Sequence, residues 1–143
     1  MKQEYRKRIL LKLDDMTDYV EELETMLPSS LDKYVSDLVK RRACEKTVEA
    51  AIETLIDVAM MIVSSEKMGL PHSEENIFDL LEKNNILDKR LSSNVKKMKG
   101  FRNILIHRYA NVDDELVYNN IKRHLDDFYD FEKEIKNFLK NNH

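Results

Sequence analysis

Glycine and proline are almost missing from this chain, with two of each in 143 residues. Many short strands joined by tight turns would need more of both, so the composition argues against an all-β fold. Cysteine is single, Cys44. No disulfide closes within the chain, no Cys/His cluster has the spacing of a zinc site, and a reducing compartment is the expectation. No apolar run approaches the roughly 20 residues that span a bilayer, and Met1-Lys2-Gln3-Glu4-Tyr5-Arg6 leads into charge, not an apolar signal core. The reading is a cytoplasmic protein without a membrane partner.

What is present is charge and helical periodicity. Charged residues make up 36% of the chain, and aliphatic residues recur at steps of three and four, the composition of amphipathic helices. With no repeat, low-complexity stretch or long linker, residues 1–143 read as one all-α domain, an up-and-down bundle of about five helices. Tyr5, Ile9, Leu13, Met16, Val20, Leu23 and Leu27 give the first helix one apolar face, and Pro28-Ser29-Ser30 ends it. A second helix is expected from Leu31 to about Met68, with a bend near Arg41 to Lys46, stopped by Gly69-Leu70-Pro71. Ser73 caps a short third helix that Asn84-Asn85 breaks, and Asp88 caps a fourth. Asp113 or Asp114 caps the last, whose core face is Leu116, Ile121, Leu125, Phe128, Ile135 and Phe138.

Two residues break these patterns. Along the fourth helix Leu91, Val95, Met98, Arg102 and Leu105 form one stripe, so a guanidinium occupies an apolar position. From Leu55 to Val63 every residue except Asp57 is apolar. Asp57 either faces a gap in the bundle or pairs with a buried cation, for which Arg102 is the obvious candidate.

The net charge of −3 is unevenly spread. Between Lys89 and Val112 stand Lys89, Arg90, Lys96, Lys97, Lys99, Arg102 and Arg108 with no carboxylate, a stretch of +7 on a body of −10. Such a patch attracts phosphate locally, although a charge run more commonly marks a solvated face. Of the four histidines, His72 follows Pro71 in a loop, His124 lies beside Arg123 and Asp126, and His143 is the last residue. These three read as surface side chains. His107 differs, because it follows an apolar run inside the basic stretch with Arg102 upstream and Tyr109 downstream.

The run Lys99-Gly100-Phe101-Arg102-Asn103-Ile104-Leu105-Ile106-His107-Arg108-Tyr109 resembles the R-x-x-x-x-H-x-Y signature of HepT-like toxins, a branch of the HEPN superfamily of helical ribonucleases. Arg102, His107 and Tyr109 match its fixed positions, and Asn103 matches the polar residue often found after the arginine. The resemblance implies a metal-independent endoribonuclease without cofactor, active as a homodimer. It further implies control by a minimal nucleotidyltransferase antitoxin, MntA-like, that adenylylates the motif tyrosine, here Tyr109. On that reading Arg102 and His107 are catalytic, Asn103 and Asp57 support them, and Lys96, Lys97, Lys99 and Arg108 bind RNA.

The residue types suit metal-free RNA cleavage, in which the 2′-OH attacks the adjacent phosphorus. His107 can take or give a proton near neutral pH, and Arg102 can grip two phosphate oxygens. Geometry constrains how they meet. Five residues turn about 140° beyond a full circle on an ideal helix, so Arg102 and His107 do not share a face. Either the fourth helix ends close to His107 or the site is built across two copies, and a two-fold dimer would bring both arginines and both histidines to one cleft. The competing reading is a non-catalytic HEPN module that binds a nucleotide or a nucleotidyltransferase partner. A purely structural adaptor would leave Arg102 on the apolar stripe unexplained.

Overall fold

The computed structural model describes residues 1–107 and 113–141. Among these residues six helices follow one another, α1 (Gln3–Met26), α2 (Leu31–Val35), α3 (Leu38–Ser65), α4 (Glu74–Lys83), α5 (Lys89–Ile106) and α6 (Asp114–Asn141). Among the described residues there is no strand, and no helix is long and apolar enough to cross a membrane. α1 packs chiefly along α3, α6 closes against α1 and α5, and α4 packs on both α3 and α5.

The core follows from the apolar spacing. Ile9, Leu13, Met16, Val20 and Leu23 of α1 are buried, one every three or four residues. They meet the most apolar part of α3, where Leu55, Ile56, Val58, Ala59, Ile62 and Val63 are buried and Asp57 and Met60 point outward.

Six described helices refine the expected count of about five. The expected second helix is two, broken at Ser36–Asp37, and no bend is needed at Arg41 to Lys46. The Asp37 side chain accepts from the Lys40 backbone N–H at 3.0 Å, and the Ser36 hydroxyl donates to the Lys33 carbonyl at 3.1 Å. These short polar side chains satisfy the backbone groups that a helix end orphans, so the chain stops and restarts. α2 is anchored by Tyr34, which is fully buried with its ring 5.2 Å from that of Tyr118.

On α6 the buried stripe is Val117, Tyr118, Ile121, His124, Phe128, Phe131, Ile135 and Leu139. Ile121, Phe128 and Ile135 belong to the expected face. Leu116 lies outside it at 39% exposure, and Leu125 and Phe138 are half-buried. The Tyr118 hydroxyl donates to the Pro28 carbonyl at 2.8 Å, which pins the register.

Candidate active site

α5 carries the residues of interest, and its sequence sets both ends. The Asp88 carboxylate accepts from the Leu91 N–H at 2.7 Å and starts the helix. It stops at His107, whose N–H donates to the Asn103 carbonyl at 3.0 Å and whose side chain is exposed. At His107 φ is −96° and ψ 21°, and the N–H still follows the helix, so within one protomer the imidazole leaves close to its helical direction and not on the face of Arg102. Arg108 and Tyr109 lie outside the described residues.

Arg102 takes its place on the buried stripe because it has a partner. Its side chain is only 12% exposed. Nη2 and Nη1 donate to the two carboxylate oxygens of Glu74, on the first turn of α4, at 2.5 and 3.3 Å. Nη2 also donates to Asn103 Oδ1 at 3.0 Å. The fork is thus held in one plane by a bidentate carboxylate and a neighbouring amide. Nε is buried and has no partner among the described residues.

Asp57 does not reach Arg102. It is exposed and pairs with Lys12 of α1 at 3.7 Å, so of the two alternatives the pair with Arg102 does not form and the first holds: the gap in the apolar run is the solvent-facing edge of α3. The acid that answers Arg102 is Glu74, which the sequence reading missed. Its signal was the acidic turn Glu74-Glu75 directly after the Ser73 cap, close to a basic helix.

The basic stretch is answered the same way. Lys99 pairs with Glu75 at 3.2 Å, Lys96 pairs with Asp79, and Arg90 pairs with Asp130 of α6 at 3.3 Å. Lys97 is exposed. Four of the cations that read as an open patch therefore stand in ion pairs between helices. Beside the end of α5, Leu105 borders a cavity of about 380 Å³ shared with Arg42, Glu45, Lys46 and Glu49 of α3. Ile104 and Ile106 are 47% and 43% exposed on the same last turn.

His72 is exposed, as expected. His124 is not a surface residue, which corrects the expectation for it. The ring is fully buried, with Nδ1 3.0 Å from Asp127 Oδ2 and its centroid 6.1 Å from that of Phe101. Asn94 of α5 donates to the other Asp127 oxygen at 3.1 Å. Burial pushes the His124 pKa below its ordinary value, against the opposing hydrogen bond it makes to the Asp127 carboxylate. Its place in the 117, 121, 124, 128 progression of α6 was the signal for burial. His143 lies outside the described residues.

Comparison with known proteins adds context to this geometry. A family model, Ribonuclease HepT-like, matches residues 16–135. An mRNA nuclease HepT of Shewanella oneidensis is 37% identical over 89 residues, which are 62% of this chain and 67% of the relative. A tRNA nuclease HepT of Aphanizomenon flos-aquae is 26% identical over 128 residues, 90% of this chain and 87% of that one. A solved structure of a tri-AMPylated Shewanella oneidensis HEPN toxin in complex with an MNT antitoxin superposes with a TM-score of 0.83 at 27% identity, covering 95% of this chain and 98% of that chain.

Proposed function

This chain belongs to the HepT-like ribonuclease family, and from that premise we propose that it is the metal-independent endoribonuclease toxin of a toxin–antitoxin pair, active as a homodimer. The observation that carries the reading is the end of α5, where Arg102 is held by Glu74 and Asn103 and the helix stops at an exposed His107.

In the reaction the 2′-OH of RNA attacks the adjacent phosphorus. The 5′-oxygen of the next nucleotide leaves, and a cyclic phosphate forms. One His107 takes the 2′-OH proton, and the imidazole of the second protomer returns a proton to the leaving oxygen. Arg102 counters the charge of the phosphorane, where a preorganised cation acts most strongly. The exposed aliphatic residues Ile104 and Ile106 beside His107 suit a two-fold contact at this end of the molecule.

Control is assigned to a minimal nucleotidyltransferase that adenylylates Tyr109. The added phosphodiester would pair with the cations of the site, and the purine would fill it. The AMPylated, antitoxin-bound state of the Shewanella relative supports this assignment.

The test is cleavage of RNA by the purified protein. Arg102→Ala and His107→Ala should each lower the rate by about 100-fold or more, with helicity intact and no effect of EDTA. Loss of activity on chelation, restored by a divalent ion, would overturn the mechanism. A chain that binds the nucleotidyltransferase but cuts no RNA would favour the non-catalytic module. Intact mass of the toxin co-expressed with its nucleotidyltransferase should rise by adenylyl increments that Tyr109→Phe abolishes.

A further inference from the structure

The cations of α5 are covered. Lys96, Lys99 and Arg102 climb the helix in steps of three residues, about 4.5 Å of rise each. They meet Asp79, Glu75 and Glu74 of the neighbouring α4 in antiparallel order. In each pair the carboxylate is the outer member. Side-chain exposure is 12% for Arg102 against 36% for Glu74, 19% for Lys99 against 58% for Glu75, and 32% for Lys96 against 51% for Asp79. An anion approaching this face meets a layer of carboxylates first and the cations beneath it.

Arg102 shows what that layer occupies. Glu74 takes one N–H from each terminal nitrogen, Asn103 takes the second N–H of Nη2, and Nε is buried. No two-toothed edge of the guanidinium is left open for a phosphate, so a phosphodiester can grip Arg102 bidentately only by displacing Glu74 or Asn103.

We propose that the seam between α4 and α5 is a track for the phosphates of RNA, filled in the free protein by the chain's own carboxylates Glu74, Glu75 and Asp79, which RNA displaces as it binds. This inference rests on the ribonuclease reading for the identity of the polyanion and adds the internal competitor. α4 itself stays docked through buried Ile77, Phe78 and Leu81, so the exchange is one of side chains. A lone small anion gains one cation at the loss of one ion pair. A strand presenting successive phosphates exchanges several pairs at once and releases the counterions of its own backbone. The layer thus selects a polyanion over free phosphate.

The experiment measures binding of a fluorescein-labelled single-stranded oligouridylate to the full chain in a His107→Ala background, so that cutting does not enter. The triple variant Glu74→Gln, Glu75→Gln, Asp79→Asn frees three cations. It should bind about tenfold tighter or more, with the log–log salt dependence little changed, because the same phosphates are neutralised in both complexes.

The control Asp14→Asn, Asp15→Asn, Glu22→Gln makes the same change in net charge on exposed positions of α1, which does not contact α4 or α5. It should move affinity by less than about threefold. Equal tightening in both would reduce the effect to net charge, and unchanged or weaker binding of the seam variant would show the carboxylates to be supports; either overturns the proposal. Should the triple variant lose helicity, Glu74→Gln alone decides by the same two outcomes. Failure of the otherwise unmodified chain to cut RNA would count against the ribonuclease reading and leave the comparison of affinities standing.

Discussion

Histidines 107 and 124 sit at opposite extremes of solvent access, and that difference decides what each does. His107 ends a helix with its side chain exposed, where a substrate can reach it. His124 is closed in beside Phe101 with Nδ1 on Asp127, and burial holds it neutral by lowering its pKa from the ordinary 6.5. As pH falls below about 6.5, the unfolded chain takes up this proton before the folded one does. Stability is therefore level above that value and is lost progressively down to the lowered folded value, below which the loss stops growing. His124→Gln should cost about 1–3 kcal/mol at neutral pH through an imperfectly bonded buried amide, yet remove this part of the acid sensitivity. Urea unfolding at about pH 7.5 and about pH 5.5 checks it, with wild type expected to lose more between the two than the variant. Equal losses would mean that protonated His124 is accommodated. The sequence made Arg102 legible as an anomaly because a guanidinium on an apolar stripe needs an explanation. It did not reveal the partner, since which carboxylate meets the guanidinium is decided only when the helices are packed. Asp57 then proves to be edge surface, and Glu74, 28 residues before Arg102 in sequence, proves to be its clamp.

Helix boundaries were legible where a capping side chain met a change in apolar pattern. Ser73 and Asp88 are examples, accepting from Asn76 and Leu91 as such residues do at N-caps. The break at Ser36–Asp37 was hidden because Leu31, Tyr34, Val35 and Leu38 continue a helical spacing straight across it. Local hydrogen bonding from two short polar side chains overrides that periodicity. The register of α6 was ambiguous for a different reason. Leu116 and Val117 are adjacent and both apolar, and the burial of the second goes with the contacts of Tyr118 with Pro28 and Tyr34. The α3 cap makes a direct prediction. Asp37→Ala removes the acceptor for the Lys40 N–H and should destabilise the fold by about 1 kcal/mol, within a range of about 0.5–2, while Asp37→Asn retains most of it. Chemical denaturation measures both, and an unchanged midpoint for the alanine variant would show that water satisfies the start of α3 equally well.

At the level of the whole molecule, the charge asymmetry read from the sequence is reorganised by packing. The basic helix is laid against the acidic one, and its last described residue is the exposed His107. That end also carries Ile104 and Ile106 in solvent and opens onto the cavity beside Leu105. An isolated protomer supplies one His107, whereas the cleavage proposed here uses a base and an acid. A two-fold axis passing by the ends of two α5 helices supplies both and covers the exposed aliphatic residues in the same step. This arrangement has a consequence that a site confined to one protomer lacks. A mixed dimer of wild type and His107→Ala retains one histidine at the shared cleft, so it lacks either the base or the acid and should be as slow as the variant homodimer. Mixing wild type with excess His107→Ala under conditions of subunit exchange should therefore lower cleavage well below the share of wild-type chain, with light scattering confirming a dimer throughout. Two protomers with self-contained sites would keep activity in proportion to the wild-type chain. Proportional activity in a mixture shown by mass spectrometry to contain the mixed dimer, or a strict monomer at micromolar concentration, would remove the composite site.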